Sequence, residues 1–488
     1  VETNLIITKR NEALIHVNCE RSIAKELSEY FSFRVPGFQF TPAYKNKIWD
    51  GYIRLFNLQT NTIYYGLIEY IKTFAEERKY TLDIDSKIIT AKNFSVVEAN
   101  QFIEALKLPI QPRDYQIKGF VDAIRLKRMV IVSPTASGKS LLLYLITRFI
   151  KLNHTKGILI VPTTSLVEQM YSDFQNYGWN VEKYCHRQYQ GKEKNTDKFL
   201  TITTWQSVYN LPKEYFEQFD FVLGDEAHQF KAKSLTTIMT NLVNADYRIG
   251  CTGTLDGTKT HKLVLEGLFG LAKKTVDTKE LMDQKILAEL RIKCLVLKYS
   301  EESCKIVKGF SYQEEIDYIV SNKARNEFIR NLAVSLNGNT LLLYQFVEKH
   351  GQILYNMILE VAKDRKVFFI HGGVETDERE RVRAITEKEN DAIIIASYGT
   401  FSTGINIVNL HNIIFSSPSK SRIRNLQSIG RGLRKGTEKT DATLFDIADD
   451  FRIGKFTNFT LNHFLERIKV YDEEKFKYRF YNIELKNG

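Results

Sequence analysis

Residues 133–140 read Ser-Pro-Thr-Ala-Ser-Gly-Lys-Ser, an order and a set of types suited to holding phosphate. An apolar run, MVIVS, leads into them, and a helix-period stretch, SLLLYLITRFI, leads out. A strand–loop–helix joint of this kind surrounds an anion with backbone N–H groups and the positive end of a helix. In that geometry Pro134, Thr135, Ala136, Ser137 and Gly138 cradle a nucleotide's phosphates. Lys139 reaches the β- and γ-phosphates, and Ser140 ligates magnesium. The opening glycine of such loops is absent: Ser133 fills its slot and Ala136 the middle one, both small enough for a tight turn. Gly-Lys-Ser alone is a weak signal, and an ordinary strand–helix turn is the bland alternative.

A second stretch, FDFVLGDEAHQF at 219–230, ends an apolar strand with Asp225 and Glu226. A carboxylate at the carboxyl end of a strand beside a phosphate loop is placed to bridge magnesium, and its neighbour to polarise the attacking water. A third, LQSIGRGLRKG at 426–436, sets Arg431 and Arg434 three apart on one helix face. Those guanidinium groups could reach the γ-phosphate in cis if their unit faces the first; a salt-bridged surface helix is the alternative.

The elements needed to position these residues are legible. Short apolar runs at 129–132, 158–161, 199–204, 221–224 and 248–251 alternate with helical patterns, and a second series follows at 340–346, 366–370, 392–397, 412–416 and 443–448. Buried runs alternating with helices predict parallel sheets covered on both faces. The expectation is therefore an α/β chain with two tandem parallel-sheet domains, which the motif resemblance given below implies to be RecA-like, a small N-terminal α+β domain and a helical C-terminal tail. The domains are expected at 1–98, 99–285 and 286–488, with the join between the sheets at 275–295. In the first, GFQFTPAYKNKIWDGYIRLFN (37–57) alternates apolar with polar residues, and Asp50-Gly51 signals a hairpin turn. Lys45, Lys47 and Arg54 flank Trp49 and Tyr52 there, which suits either DNA or a small aromatic core with a solvated rim. Trp205 is expected in the core, and the polar stretch 186–198 in solvent.

Composition narrows the partners. The 488 residues carry a net charge of +11, with 43% hydrophobic and 26% charged residues, so a soluble multidomain protein with an anionic partner, nucleic acid first, is expected. Five scattered cysteines without a CxxC pair argue for a reducing compartment. No apolar run reaches the roughly 20 residues of a membrane span. A cytoplasmic location is expected, that of the host cell if the chain is of phage origin. No feature calls for an oligomer.

Taken together, the motifs resemble a superfamily 2 helicase core over about 110–450. RDYQ (113–116) is similar to the adenine-reading motif, which implies Gln116 and Arg113 at the base. VPTTSLVEQ (161–169), TTWQS (203–207) and FIHGG (369–373) resemble strand-contacting motifs, implying DNA contacts from Thr163, Thr204 and His371. CTGTL (251–255) resembles the motif coupling hydrolysis to domain movement, which would engage Thr252, Gly253 and Thr254. ASYGTFSTGIN (396–406) resembles the motif touching both nucleic acid and nucleotide, implying Thr403 and Gly404; Asn406 stands where many relatives carry Asp and is given no catalytic role. Gln427 joins Arg431 and Arg434 in the catalytic set by the same likeness. IASYGTFSTGI, LQSIGRGLRKG and FSFRVPGFQFTPAYKNKIWDGYIRLF are most similar to phage UvsW-type helicases. That resemblance implies ATP and Mg²⁺ as cofactors, an N-terminal DNA-binding module, and action on branched DNA such as forks, four-way junctions and displacement loops. Rival readings are an RNA helicase, the motor of a restriction or nuclease assembly, and a nucleotide-gated DNA scaffold that does not hydrolyse ATP.

Overall fold

The structure, a computed structural model, describes residues 4–88, 92–189, 196–229, 232–253, 255, 259–400, 409–417 and 441–485. It forms two compact units, one of Val1–Ser133 with Gly138–Val276 and one of Pro134–Ser137 with Asp277–Gly488.

The first unit begins with strands β1 (Leu5–Lys9) and β2 (Leu14–Cys19), then β3 (Ser32–Arg34), β4 (Tyr52–Arg54), β5 (Thr62–Tyr64) and β6 (Leu82–Ile84). Four of them make a sheet in the order β5-β2-β1-β6, while β3 and β4 pair apart from it. Alternation does the folding here: Leu5, Ile7, Ile15 and Val17 face inward and meet Leu27, Ile71 and Phe74 of the helices Arg21–Tyr30 and Ile68–Arg78, together with Phe31 at the end of the first.

The larger sheet of this unit contains β7 (Arg128–Val132), β8 (Gly157–Val161), β9 (Cys185–Gln188), β10 (Leu200–Thr204), β11 (Phe221–Gly224), β12 (Tyr247–Thr252) and β13 (Ala272–Lys274). Its order is β13-β7-β12-β11-β8-β10-β9, with every pairing parallel. Helices cover both faces, so its central strands are apolar without alternation. One apolar cluster runs from the N-terminal sheet into one face of this sheet, joining Ile63, Tyr65 and Leu67 to Leu263, Leu268 and Phe269. At that seam a Cβ on Gly66 would lie 2.0 Å from the Glu266 carbonyl oxygen, so only glycine permits the approach. Arg128 closes it, ion-paired to Glu12, donating to the Glu12 carbonyl at 2.7 Å and stacked 3.9 Å over Tyr65. The N-terminal residues are thus built into the same core as the phosphate-loop sheet.

The second unit holds β14 (Glu289–Lys298), β15 (Thr340–Tyr344), β16 (Val367–Ile370), β17 (Ile393–Ser397), β18 (Asn412–Phe415), β19 (Asp441–Asp450) and β20 (Tyr478–Glu484). The order is β16-β17-β15-β18-β19-β14-β20, again wholly parallel. Two parallel seven-stranded sheets match the doubly wound expectation.

Three local expectations need correction. The C-terminal tail is one helix, Phe459–Glu473, followed by the edge strand β20, whose mostly exposed side chains left no burial pattern to read. The stretch from 186 begins as part of β9, paired with β10, and Gln188 is buried. Asp50-Gly51 is not a hairpin tip: β3 pairs with β4 in register Arg34↔Tyr52, so the pair closes a long excursion over 35–51. Trp205 lies in the core, as expected. Among the described residues no helix is long and apolar enough to cross a membrane.

Candidate active site

The phosphate loop leaves β7 at Ser133, whose amide donates to the Thr252 carbonyl at 2.9 Å, and enters the helix Lys139–Ile150 at Gly138. Two residues adopt left-handed backbone, Ala136 at φ +68° and Gly138 at φ +81°. Glycine meets that demand freely; Ala136 meets it with strain, since a Cβ there costs roughly 1–2 kcal/mol. Gln116, predicted to read adenine, is buried and braces the loop: its amide donates to the Gly138 carbonyl at 3.1 Å while its oxygen accepts from the Arg113 amide at 2.8 Å. Arg113 caps the helix Asp114–Leu126 and donates to the Tyr115 hydroxyl at 3.1 Å.

Lys139 is nearly buried, its Nζ 3.4 Å from the Ser133 carbonyl and 3.5 Å from Glu226 Oε1. The structure therefore brings together the lysine and the carboxylate that the sequence placed far apart. Asp225 follows β11 and accepts from the Glu226 amide at 2.9 Å. Burial first, then the Glu226 carboxylate, pushes its carboxyl up to about 7, against the pull of Lys139. The Asp225 carboxyl and the Ser140 hydroxyl, in the first turn of the helix Lys139–Ile150, are hard-oxygen donors of the kind magnesium takes. Ser140 Oγ is 2.9 Å from the Tyr177 hydroxyl, a partner that the sequence did not suggest.

Glu226 also sits at positive φ, +48°. Its Oε2 is 3.5 Å from His228 Nδ1, which lies 2.5 Å from Thr252 Oγ1. A chain of polar contacts thus runs from Lys139 through Glu226 and His228 to Thr252, at the end of β12. Gly253 follows it; Thr254 lies outside the described residues.

The predicted DNA-contacting residues are engaged locally. The Thr163 hydroxyl accepts from the Leu166 amide at 3.3 Å as a helix cap. Thr204, buried, is 2.8 Å from Ser207 Oγ. Gln206 ties the two segments by donating to the Pro162 carbonyl at 3.2 Å. His371 Nδ1 accepts from the Gly373 amide at 3.2 Å.

Thr403, Gly404, Gln427, Arg431 and Arg434 lie outside the described residues. What precedes the arginine segment is well defined and was missed at sequence level. β18 ends at Phe415, and the next two serines are buried. The Ser416 carbonyl accepts from Arg325 at 2.8 Å, and Arg325 is bidentate to buried Asp449 at 2.7 and 3.0 Å. Ser417 Oγ accepts from the Gln345 amide at 3.2 Å and lies 3.1 Å from His350 Nδ1, while its carbonyl accepts from the Tyr398 hydroxyl at 3.2 Å. Burial and Arg325 hold His350 well below its usual pKa, so it is neutral. Partners from three distant segments converge where the chain leaves the sheet; no single stretch of sequence signals that.

Comparison with known proteins places these features in context. Residues 109–257 match the family model described as "Type III restriction enzyme, res subunit", 7–85 that of "DNA helicase UvsW, N-terminal", and 323–436 that of "Helicase conserved C-terminal domain". The chain is 33% identical over 495 residues to the ATP-dependent DNA helicase uvsW of Enterobacteria phage T4, covering 96% of this chain and 98% of that protein. It is 23% identical over 423 residues to the DNA 3′-5′ translocase XPB2 of Sulfurisphaera tokodaii, covering 78% of this chain and 91% of that one. The crystal structure of T4 UvsW superposes with a TM-score of 0.54 at 31% identity, covering 99% of this chain and 100% of that one.

Proposed function

Because the chain belongs to the UvsW family of ATP-dependent DNA helicases, we propose that it spends ATP, with Mg²⁺, to move along DNA and remodel branched structures such as forks and four-way junctions. The observation that best supports the ATPase part is the contact chain Lys139–Glu226–His228–Thr252, at 3.5, 3.5 and 2.5 Å.

Lys139 serves two anions in turn. When triphosphate enters the loop, the lysine exchanges Glu226 for the β- and γ-phosphates, a stronger charge-assisted pairing. Glu226, released, accepts a proton from the attacking water. His228 senses the change because it stands between Glu226 and Thr252, so the end of β12 registers whether the loop is filled. Gln116 holds Gly138 in place while the base is read. Magnesium, when bound, neutralises charge on the phosphates; Ser140 and Asp225 would hold it. Gln427, Arg431 and Arg434 would supply positive charge at the γ-phosphate. In branch migration the pairs broken ahead are remade behind, so net work is small and hydrolysis chiefly supplies direction.

Glu226→Gln is the test. Nucleotide binding should stay within a few-fold while DNA-stimulated turnover falls about 10²–10⁴-fold. Wild-type turnover would remove Glu226 from the chemistry. Measuring turnover on a four-way DNA junction, a tailed DNA duplex and an RNA duplex tests the substrate; highest stimulation by the RNA would overturn the DNA reading.

A further inference from the structure

The excursion between β3 and β4, residues 35–51, displays the two most exposed large apolar side chains among the described residues, Phe40 at 73% and Ile48 at 79%. They flank a single helical turn, Pro42–Lys45. The aromatic residues that the sequence offered for DNA contact point elsewhere: Trp49 and Tyr52 are half-buried, and the Trp49 indole donates to the Tyr52 carbonyl at 2.8 Å.

Phe40 and Ile48 are not exposed because the segment is loose. Phe38 packs edge-on against Tyr44 at 4.6 Å, and the Arg34 guanidinium stacks 4.5 Å from Phe38 and 5.3 Å from Tyr52. The Thr41 hydroxyl donates to the Phe38 carbonyl at 2.7 Å and accepts from the Tyr44 amide at 3.4 Å. The excursion's other large side chains are therefore tied down beneath a tip that presents hydrocarbon to water. Its charge outside ion pairs, among the described residues, is positive. Lys45 and Lys47 are exposed with no ion pair among the described residues, and the one acid nearby, Asp50, is matched by Arg54 at 2.5 Å.

Resting on the DNA-helicase reading, we propose that residues 35–51 are a wedge: Phe40 and Ile48 pack against the exposed base pair at a DNA branch while Lys45 and Lys47 hold the flanking phosphates. Phenylalanine and isoleucine are among the side chains that proteins drive between base steps, at an unstacking cost of a few kcal/mol that a branch, already open on one side, reduces. Phosphate contacts fix the register of such an insertion. A wedge works only if it is rigidly joined to the motor. Phe33 of β3 and Ile53 of β4 pack against the N-terminal apolar cluster, and the close approach at Gly66, the Arg128–Glu12 pair and the hydrogen bond of 2.6 Å from Tyr70 to Glu266 join that core to the sheet whose β7 leads into the phosphate loop.

The test uses the full chain with a synthetic DNA fork and a linear duplex, each carrying 2-aminopurine at the equivalent position. The wild type should raise 2-aminopurine fluorescence at the fork and not in the duplex. The double variant F40S/I48S, changed only at exposed positions, should keep its melting temperature and keep single-strand-stimulated ATPase within twofold. The fork signal should fall at least fivefold and fork remodelling about tenfold. K45A/K47A should weaken fork binding and make log K against log salt shallower by about 1 to 2. A fork signal in F40S/I48S equal to wild type overturns the wedge, including the case in which a protein is what covers the tip. Loss of ATPase on every DNA overturns its branch specificity. Absence of DNA-stimulated ATPase in the wild type overturns the helicase reading instead.

Discussion

Replacing Asp225 with asparagine should stabilise the first unit by an amount that grows with pH. The Asp225 carboxyl titrates at about 7 in the folded protein, against an ordinary value of 3.8. A carboxyl whose pKa is raised by folding contributes stability that is complete below the unfolded value and is lost as pH rises through the folded one. At 1.36 kcal/mol per unit, the full loss is about 4 kcal/mol at pH 8 and somewhat under 2 kcal/mol at pH 5. Asparagine has no proton to lose, and its oxygen keeps the bond from the Glu226 amide, 2.9 Å long in the wild type. The stability gap between variant and wild type should therefore widen by about 2–3 kcal/mol between pH 5 and pH 8. With m near 2–3 kcal/mol/M, that is a relative shift of about 1 M in the urea midpoint.

Tryptophan fluorescence suits the measurement because all 3 tryptophans, Trp49, Trp179 and Trp205, lie in the first unit. Magnesium with ADP at pH 8 should stabilise the wild type more than the variant, since the carboxylate is the group that repels and the cation the group that answers it. A gap that stays constant between pH 5 and pH 8 would refute the reasoning: the buried carboxyl would then not be the titrating group.

Gln116→Ala removes the brace between the Arg113 amide and the Gly138 carbonyl, so KM for ATP should rise about tenfold and preference over GTP should fall, read from steady-state kinetics with both nucleotides. Arg128→Met removes the buried partner of Glu12, which keeps its ion pair with Lys9, and should cost the first unit about 1–3 kcal/mol in urea melts. Tyr398→Phe deletes the hydroxyl that donates to the Ser417 carbonyl; stability should fall by about 1 kcal/mol, while kcat drops several-fold at unchanged nucleotide affinity.

What the sequence revealed followed burial. The central strands β7, β8, β11, β15 and β17 are buried on both faces, so each appears as an unbroken apolar run. β14, ELRIKCLVLK, was passed over because charged residues punctuate it, and β20 because an exposed edge strand has no need of apolar alternation. The spacing in 35–51 imitated a strand, although a 3-10 turn and a short helix produce it. At the site, residue types were legible because phosphate and magnesium demand them. Partners were not: Tyr177 for Ser140, Gly138 for Gln116 and Ser417 for His350 arrive from distant segments, and only the fold brings them into reach.

The strain at the site has a direction. Ala136 and Glu226, one on each side of Lys139 in sequence, both hold left-handed backbone that side chains rarely adopt, and beside Glu226 stands a buried carboxyl whose pKa burial raises. Each feature costs stability where it sits, and the cost persists only because the surrounding core over-determines it. On the proposed mechanism, phosphate and magnesium would relieve these costs together: the loop's amides would gain an anion, Asp225 a cation, and Lys139 would leave Glu226. Binding would then draw on strain already present, and loss of the γ-phosphate would return it. Because His228 stands between the Glu226 carboxylate and Thr252, the proposed exchange at Lys139 would also be felt at the end of β12. A loop rebuilt with glycine at Ala136 and with asparagine at Asp225 would hold its shape more easily and would have less to exchange.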